Sequence, residues 1–212
     1  MVKKRQLVPR GAQNVIEVLF ETLLTFIEEI MGSKKQARKA FPLIATIFLF
    51  VLFSNWVSIL PGMGTVGFQH EIEGHHTIIP FLRSTSADLN FTLALSAMVV
   101  LTIQVTGITT LGLFKYSQKF LVSPFHKPYV LGTMVGLLEL VSEVVKFISF
   151  SFRLFGNIFA GEILLTVMLH LVPYFIPLPF LLLETFVGVV QAGVFAMLTL
   201  VFLKMAMLEA EH

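Results

Sequence analysis

The sequence predicts an all-α integral membrane protein: two ordinary transmembrane helices plus a long tilted two-helix hairpin, with an N-terminal amphipathic helix. Three observations lead there. Of the 212 residues, 56% are hydrophobic and 13% charged, with a mean hydropathy of +0.85, whereas soluble domains carry about 25% charged residues. The apolar stretches reach or exceed the roughly 20 residues that a helix needs to cross a bilayer. The basic residues collect between these stretches, where positive-inside topology puts them. The 22 Phe residues suit a lipid-facing surface, and all of residues 1–212 read as one membrane domain.

Taken in order, residues 1–13 form a basic cytoplasmic segment that lacks the apolar region of a signal peptide. Residues 14–31 follow, with Val15, Val18, Leu19, Thr22, Leu23, Phe26, Ile27 and Ile30 at three- and four-residue steps. Glu17, Glu21, Glu28 and Glu29 fill much of the rest, so this is an amphipathic helix lying at the interface or docked on other helices. Asn14 is its expected N-cap and Gly32 its stop. After the basic run Lys34 to Lys39, residues 41–60 give a first span, with Trp56 placed as an interfacial anchor. Residues 61–88 read as a flexible, solvated external loop. His70, His75 and His76 cluster there, but no helical spacing or carboxylate set completes a metal site.

Residues 89–114 are the second span, opening with Asp88, Asn90, Thr92 and Ser96. Residues 115–129 carry Lys115, Lys119 and Lys127 as a cytoplasmic loop, closed by Pro124 and Pro128. Residues 130–171 hold no strong breaker. At 1.5 Å per residue they make about 60 Å of helix, twice the hydrocarbon thickness, so that helix must tilt steeply or bend at Gly156 or Gly161. Pro173, Pro177 and Pro179 make the turn into residues 178–208, a second long helix.

The first hairpin helix carries a polar stripe. With Glu139 at zero and about 100° per residue, Glu143 falls at about +40°, Lys146 at about −20°, Arg153 at about −40° and Asn157 at about 0°. Ser142 and Ser149 fall at about −60° and about −80°, and the opposite arc is Val, Leu, Ile and Phe. An ionised guanidinium at bilayer depth costs a few kcal/mol on insertion scales and roughly 10 or more in simulations. Such a stripe faces protein or water. It is either a buried network that fixes packing or a polar path along which charge moves. Arg153 cannot relay protons, because an arginine stays charged and only donates; its role is electrostatic. Glu162 leaves the stripe at about +140° and is expected to face the second hairpin helix. There Glu184, Gly188 and Gln191 stack, and Gly188, Ala192 and Ala196 form a small-residue row for close helix approach. Burial disfavours a charged carboxylate, which lets such a group take up and release a proton near neutral pH. Glu184 alone also reads as a carboxylate snorkelling to the Pro177–Pro179 turn.

The run SFRLFGNIFAGE around Arg153 resembles the signature of subunit a of F-type ATP synthases. VVQAGVFAMLTLVFLKMAM with the terminal EAEH resembles that family's C-terminal helix, and SADLNFTLAL its preceding segment, so the likeness covers residues 13–212 in order. The resemblance implies a proton-translocating stator whose two half-channels load and unload a rotating c-subunit ring. It implies that Arg153 faces the ring carboxylate and that Asn157, Glu162, Glu184 and Gln191 line the external half-channel. Glu139, Ser142 and Ser149 then line the cytoplasmic one, and Asp88 and Asn90 the external entrance. Some relatives carry a histidine where this chain has Glu162 or Glu184. The family usually begins with one more membrane helix than this sequence has, so an upstream start or a truncation is expected. Implied partners are the c-subunit ring, the b-subunit peripheral stalk, the remaining ATP synthase subunits, the bilayer and the transported proton.

Other classes fall away. With no Cys, disulfides and thiolate metal sites are excluded. No nucleic-acid motif, HExxH or phosphate-binding glycine loop occurs, so no cofactor, metal or nucleic-acid partner is expected, and the chain is part of an enzyme complex without being the ATPase itself. Nothing specifies sodium, and the proton is the expected ion. The expected location is a multi-pass position in a bacterial plasma membrane, with an organelle left open. A self-contained ion channel or secondary transporter would use the same stripe as its own pore; no two-halves repeat of that kind is visible.

Overall fold

Inside a bilayer no water bonds the peptide groups, so apolar segments must form helices that satisfy themselves. The computed structural model describes residues 12–60, 67–72, 75–80, 85–120, 129–172, 175 and 177–207. Among these are α1 (Ala12–Met31), α2 (Lys34–Ile59), α3 (Leu89–Leu111), α4 (Leu113–Phe120), α5 (Tyr129–Leu171) and α6 (Pro177–Met207). Four of them, α2, α3, α5 and α6, are long and apolar enough to cross a membrane. The membrane part is all-α.

Several boundaries differ from the sequence reading. α1 starts at Ala12, ahead of the expected Asn14 cap, because Ala and Gln are good helix formers. α2 takes in the basic run from Lys34 and passes through Pro42. The Lys, Gln, Ala and Arg residues favour helix there, and α2 absorbs at Pro42 both a missing bond to the preceding turn and the ring's crowding of the carbonyl four residues back. α3 ends at Gly112, whose φ of +83° is open to glycine but strained for other residues. That turn starts α4, so the stretch read as a cytoplasmic loop opens with a helix.

The stretch read as a flexible loop contains an antiparallel hairpin, β1 (Gly67–Ile72) with β2 (His75–Pro80), in the register Ile72 opposite His75 and Gly67 opposite Pro80. The register sets Phe68 opposite Ile79, and Phe68, Ile72, Thr77, Ile78 and Ile79 are residue types that favour strand. A 3₁₀ turn, Thr85–Ala87, leads to α3.

α5 is one unbroken helix of 43 residues through Gly156 and Gly161, about 64 Å long. α6 has 31 residues, about 46 Å. Helices that outrun a bilayer of about 30 Å must tilt steeply if both ends stay at its surfaces. α6 packs against α2, α3 and α5 and supplies much of the core: Ala192, Phe195, Ala196 and Leu200 are buried with Ile44 and Val51 of α2 and Leu154 of α5. The Phe150 ring packs on Phe195 with centroids 4.8 Å apart. The expected small-residue row is where α2 comes close. A Cβ on Gly188 would lie 3.3 Å from that of Asn55, whose amide donates to the Gly188 carbonyl at 3.1 Å. The outer face of α5, with Leu137, Val141, Val145, Ile148 and Phe152, is exposed, as a lipid- or partner-facing surface requires.

α1 is tied to this bundle at its C-terminus. Its last carbonyls lack intrahelical donors, and Lys204 of α6 donates to the Ile30 carbonyl at 2.6 Å. A cation there also meets the negative end of the helix dipole. Lys204→Met should remove about 1.5 kcal/mol or more of local stability. Amide hydrogen exchange in the last turn of α1 should then be about tenfold faster, with the core of α6 unchanged; unaltered protection of Ile30 and Met31 would refute the anchoring role.

Candidate functional site

Arg153 sits past the midpoint of α5 and is half-buried. Its Nη2 donates to Ser149 Oγ one turn below, at 3.3 Å. Among the described residues no carboxylate lies within ion-pair reach of it. The flanking surface is small: Gly156 and Ala160 are exposed, and a Cβ on Gly156 would meet nothing within 4 Å. Helical geometry puts Ser149, Gly156 and Ala160 beside Arg153 on one edge, at about −80°, −100° and −60° against its −40°. The buried face of α5, marked by Phe150, Leu154 and Ile158, lies on the other side.

Toward the N-terminal end of α5 the stripe is bonded to its neighbours. Glu143 accepts from Lys146 Nζ at 2.7 Å and from Gln104 Nε2 of α3 at 2.7 Å. Tyr116 of α4 donates to Gln104 Oε1. The Lys146 ammonium also lies 5.0 Å above the Phe202 ring of α6. Burial, then the nearby Glu143 and Glu139 carboxylates, pushes the Tyr116 phenol up to about 12. Glu139 and Ser142 are half-buried on this part of α5.

Toward the C-terminal end of α5, α3 runs antiparallel to it. Thr92 meets Ser151 at 3.3 Å and Ser96 donates to the Phe147 carbonyl at 2.7 Å. That register carries Asp88 and Asn90 to the level of Arg153 and the turn after it. Both are exposed, and Asp88 caps α3 by accepting from the Asn90 amide at 2.8 Å. α6 passes on another side in the register set by Phe150 with Phe195, so Gln191 and Ala192 lie at the level of Arg153. Gln191 is buried, and its Nε2 has no partner among the described residues. Two turns outward, the Glu184 carboxylate lies directly over Gly161, where any Cβ would collide with it. Glu162 is close enough for the two carboxylates to repel. Glu162 itself is exposed, on the face of α5 that also carries Phe159, Ile163, Thr166 and Val167. Helix α6 is thus met by Gly161, while Glu162, expected to face it, is exposed one residue further around the helix. Asn157 is half-buried between these levels. Glu184 Oε2, Asn55 Oδ1 and Ser86 Oγ also lack partners among the described residues, and such atoms cost about 1–3 kcal/mol each unless water reaches them.

Four residues the sequence reading left unassigned are therefore part of this surface: Asn55, Gln104, Tyr116 and Ser151. Asn55 and Gln104 carried a usable signal, each an amide inside an apolar span. Tyr116 and Ser151 became visible only through tertiary contact. The metal reading of His70, His75 and His76 concerns side chains outside the described residues; among those described, no group of three or more potential ligands forms.

Comparison with known proteins matches residues 1–204 to the family model described as ATP synthase A chain. A curated "ATP synthase subunit a" of Campylobacter concisus is 38% identical over 210 residues, covering 99% of this chain and 82% of that protein. Those of Campylobacter fetus and Campylobacter curvus are 36% and 37% identical, each covering 99% of this chain and 83% of the relative.

The Gly161–Glu184 contact can be tested directly. Because the tip of a Glu side chain is flexible, Gly161→Ala should fold with unchanged helicity while turning the carboxylate outward. Labelling of Glu184 by a water-soluble carbodiimide should rise several-fold; unchanged labelling would contradict the juxtaposition.

Proposed function

The chain belongs to the ATP synthase A chain family, and from that premise we propose how its residues divide the work. It is a proton-translocating membrane subunit of an F-type ATP synthase, part of that complex, and a multi-pass protein of a bacterial plasma membrane. Its partners in the proposed mechanism are a ring of c subunits on the exposed edge of α5 and a b-subunit stalk that holds it still. The observation that carries this assignment is Arg153: a half-buried guanidinium whose one hydrogen-bond partner among the described residues is a serine on its own helix. Small exposed neighbours leave room for another helix to approach. A charge held at that depth calls for a counter-charge, and a carboxylate carried past by another chain supplies one.

The proton enters from outside past Asp88 and Asn90, which the α3–α5 register sets at the level of Arg153. Glu162, exposed on α5, and Glu184, half-buried over Gly161, are the titratable groups of this half. Asn157 and Gln191 supply hydrogen-bonding positions between them and the ring. The buried polar atoms on α2 and α6 that have no partner among the described residues support a hydrated external path. A ring carboxylate takes the proton, becomes neutral and can pass into lipid. After nearly a full revolution it meets the Arg153 guanidinium, which favours the ionised carboxylate, and the proton leaves along Ser149, Ser142 and Glu139. The same fixed charge repels a proton that would cross straight from one half-path to the other. Each charge moved through 100 mV supplies about 2.3 kcal/mol.

A self-contained channel or transporter is not favoured, because the family match runs through residues 1–204 and the polar edge at Arg153 is open on one side. Arg153→Ala should abolish ATP-driven proton pumping in inverted vesicles, by about a hundredfold or more for a loss of a few kcal/mol, with the ring still co-purifying. Arg153→Lys should be severely impaired as well, since lysine can lose its proton when buried. Coupled pumping retained in Arg153→Ala would reject the assignment.

A further inference from the structure

We infer that the cleft between α2 and α3 binds an anionic phospholipid, with the headgroup phosphate on Lys35 and Lys39 and an acyl chain against the apolar wall behind them. α2 and α3 both pack on α6 but barely touch each other. They come together toward one end, where the Phe50 and Phe91 rings lie 6.0 Å apart. Toward the other end they part, and the gap is a groove of 590 Å³, within the roughly 300–1,000 Å³ of ordinary ligand sites. That end holds the basic start of α2, so the positive-inside rule sets it at the cytoplasmic leaflet.

The groove is polar at its mouth and apolar along its wall. Lys35, Gln36 and Lys39 of α2 stand at the mouth, all exposed. Leu43 lies about 12 Å further along α2 from Lys35, and with Leu203 and Met207 of α6 it forms the wall. A phospholipid presents the complement, an anionic phosphate above an acyl chain, and basic pockets between membrane helices bind such headgroups. On the α3 side, Thr109 and Thr110 donate their hydroxyl hydrogens to carbonyls of their own helix, which leaves the oxygens to accept from headgroup hydroxyls. The charge of the two lysines is unspent. Among the described residues no carboxylate lies within ion-pair reach of either, whereas Lys146 and Lys204 are bonded within the bundle. The basic run is also divided by the helix. Lys35 and Lys39 lie about 40° apart, while Lys34 and Arg38 fall about 100° and 60° to the other side of Lys35 and do not line the groove. A membrane helix of a partner subunit would cover the apolar wall but leave both ammonium groups without a counter-charge; a lipid phosphate supplies one.

The test uses the whole complex in phosphatidylcholine vesicles doped with phosphatidylglycerol that bears a photoreactive group in one acyl chain. Mass spectrometry reads the labelling of the peptides that hold Leu43 and Leu203. It should exceed labelling by an equally photoreactive phosphatidylcholine about tenfold or more, the effect of two lysines on an anionic headgroup. Lys35→Gln combined with Lys39→Gln should abolish that excess. Lys34→Gln combined with Arg38→Gln removes the same charge from outside the groove and should leave the excess within about twofold of the parent. Equal labelling by the two lipids overturns the inference, and is the result if a partner helix fills the cleft. An equal drop in both double variants also overturns it, since the attraction would then belong to a diffuse basic surface. If the Lys35 and Lys39 variant fails to assemble, competition in the parent complex decides. Unlabelled phosphatidylglycerol should displace the label; displacement to the same extent by phosphatidylcholine or by inorganic phosphate overturns the inference.

Discussion

A guanidinium fixed near the middle of a membrane helix constrains everything around it. Arg153 cannot shed its proton, cannot be left to hydrocarbon, and finds a serine and no carboxylate among the described residues of its own chain. The fold answers by keeping it at the margin of the bundle. One side of α5 is sealed by Phe150, Leu154 and Ile158 against α6 and α3, and the other is left shallow by Gly156 and Ala160. The charge is shielded enough to keep its strength, yet open to one further helix. The length of α5 serves the same end. A helix of 43 residues laid steeply across the bilayer presents a long edge, so polar groups serving both membrane faces can lie on one element.

Glycines inside the helices decide where the polar side chains go. Gly107 admits the Tyr116 ring, Gly161 lies beneath the Glu184 carboxylate, and Gly188 takes the Asn55 amide. In each case a missing Cβ lets a polar group pass between two helices that otherwise touch through apolar contacts. The polar groups are thus placed by the absence of side chains as much as by their presence, which is how a lipid-adapted bundle can hold a chain of hydrogen-bonding groups without opening a wide pore.

Much of this could be read from the residues. Four apolar spans, the unbroken run before Leu171 and the stripe from Glu139 to Asn157 follow from helical periodicity and from the cost of charge in lipid. What periodicity could not resolve was the division within the stripe. On a wheel Lys146 and Arg153 look alike, both cations on the same arc. In the folded chain Lys146 is caged by Glu143 and Phe202, while Arg153 is bonded to Ser149 alone among the described residues. The difference comes from Gln104 and Phe202, which lie far away in sequence. The hairpin β1–β2 was missed for another reason. Its alternation is short and rich in His and Gly, and a polar composition hid it. The local turn at Gly112 starts α4 within the stretch read as a loop, a detail that depends on one positive φ.

The central claim is that the Arg153 edge of α5 faces the rotating ring. Because the chain has no Cys, a single introduced thiol reports its own position without background. Gly156→Cys points from the Arg153 edge into space that is open within this chain, whereas Phe155→Cys lies at the same height about 100° around the helix, where Phe155 stacks on Phe159. Each would be paired with a cysteine placed beside the ring carboxylate in the assembled complex and oxidised. The account predicts a disulfide from position 156 and little or none from position 155. A bond from 155 and none from 156 would contradict it.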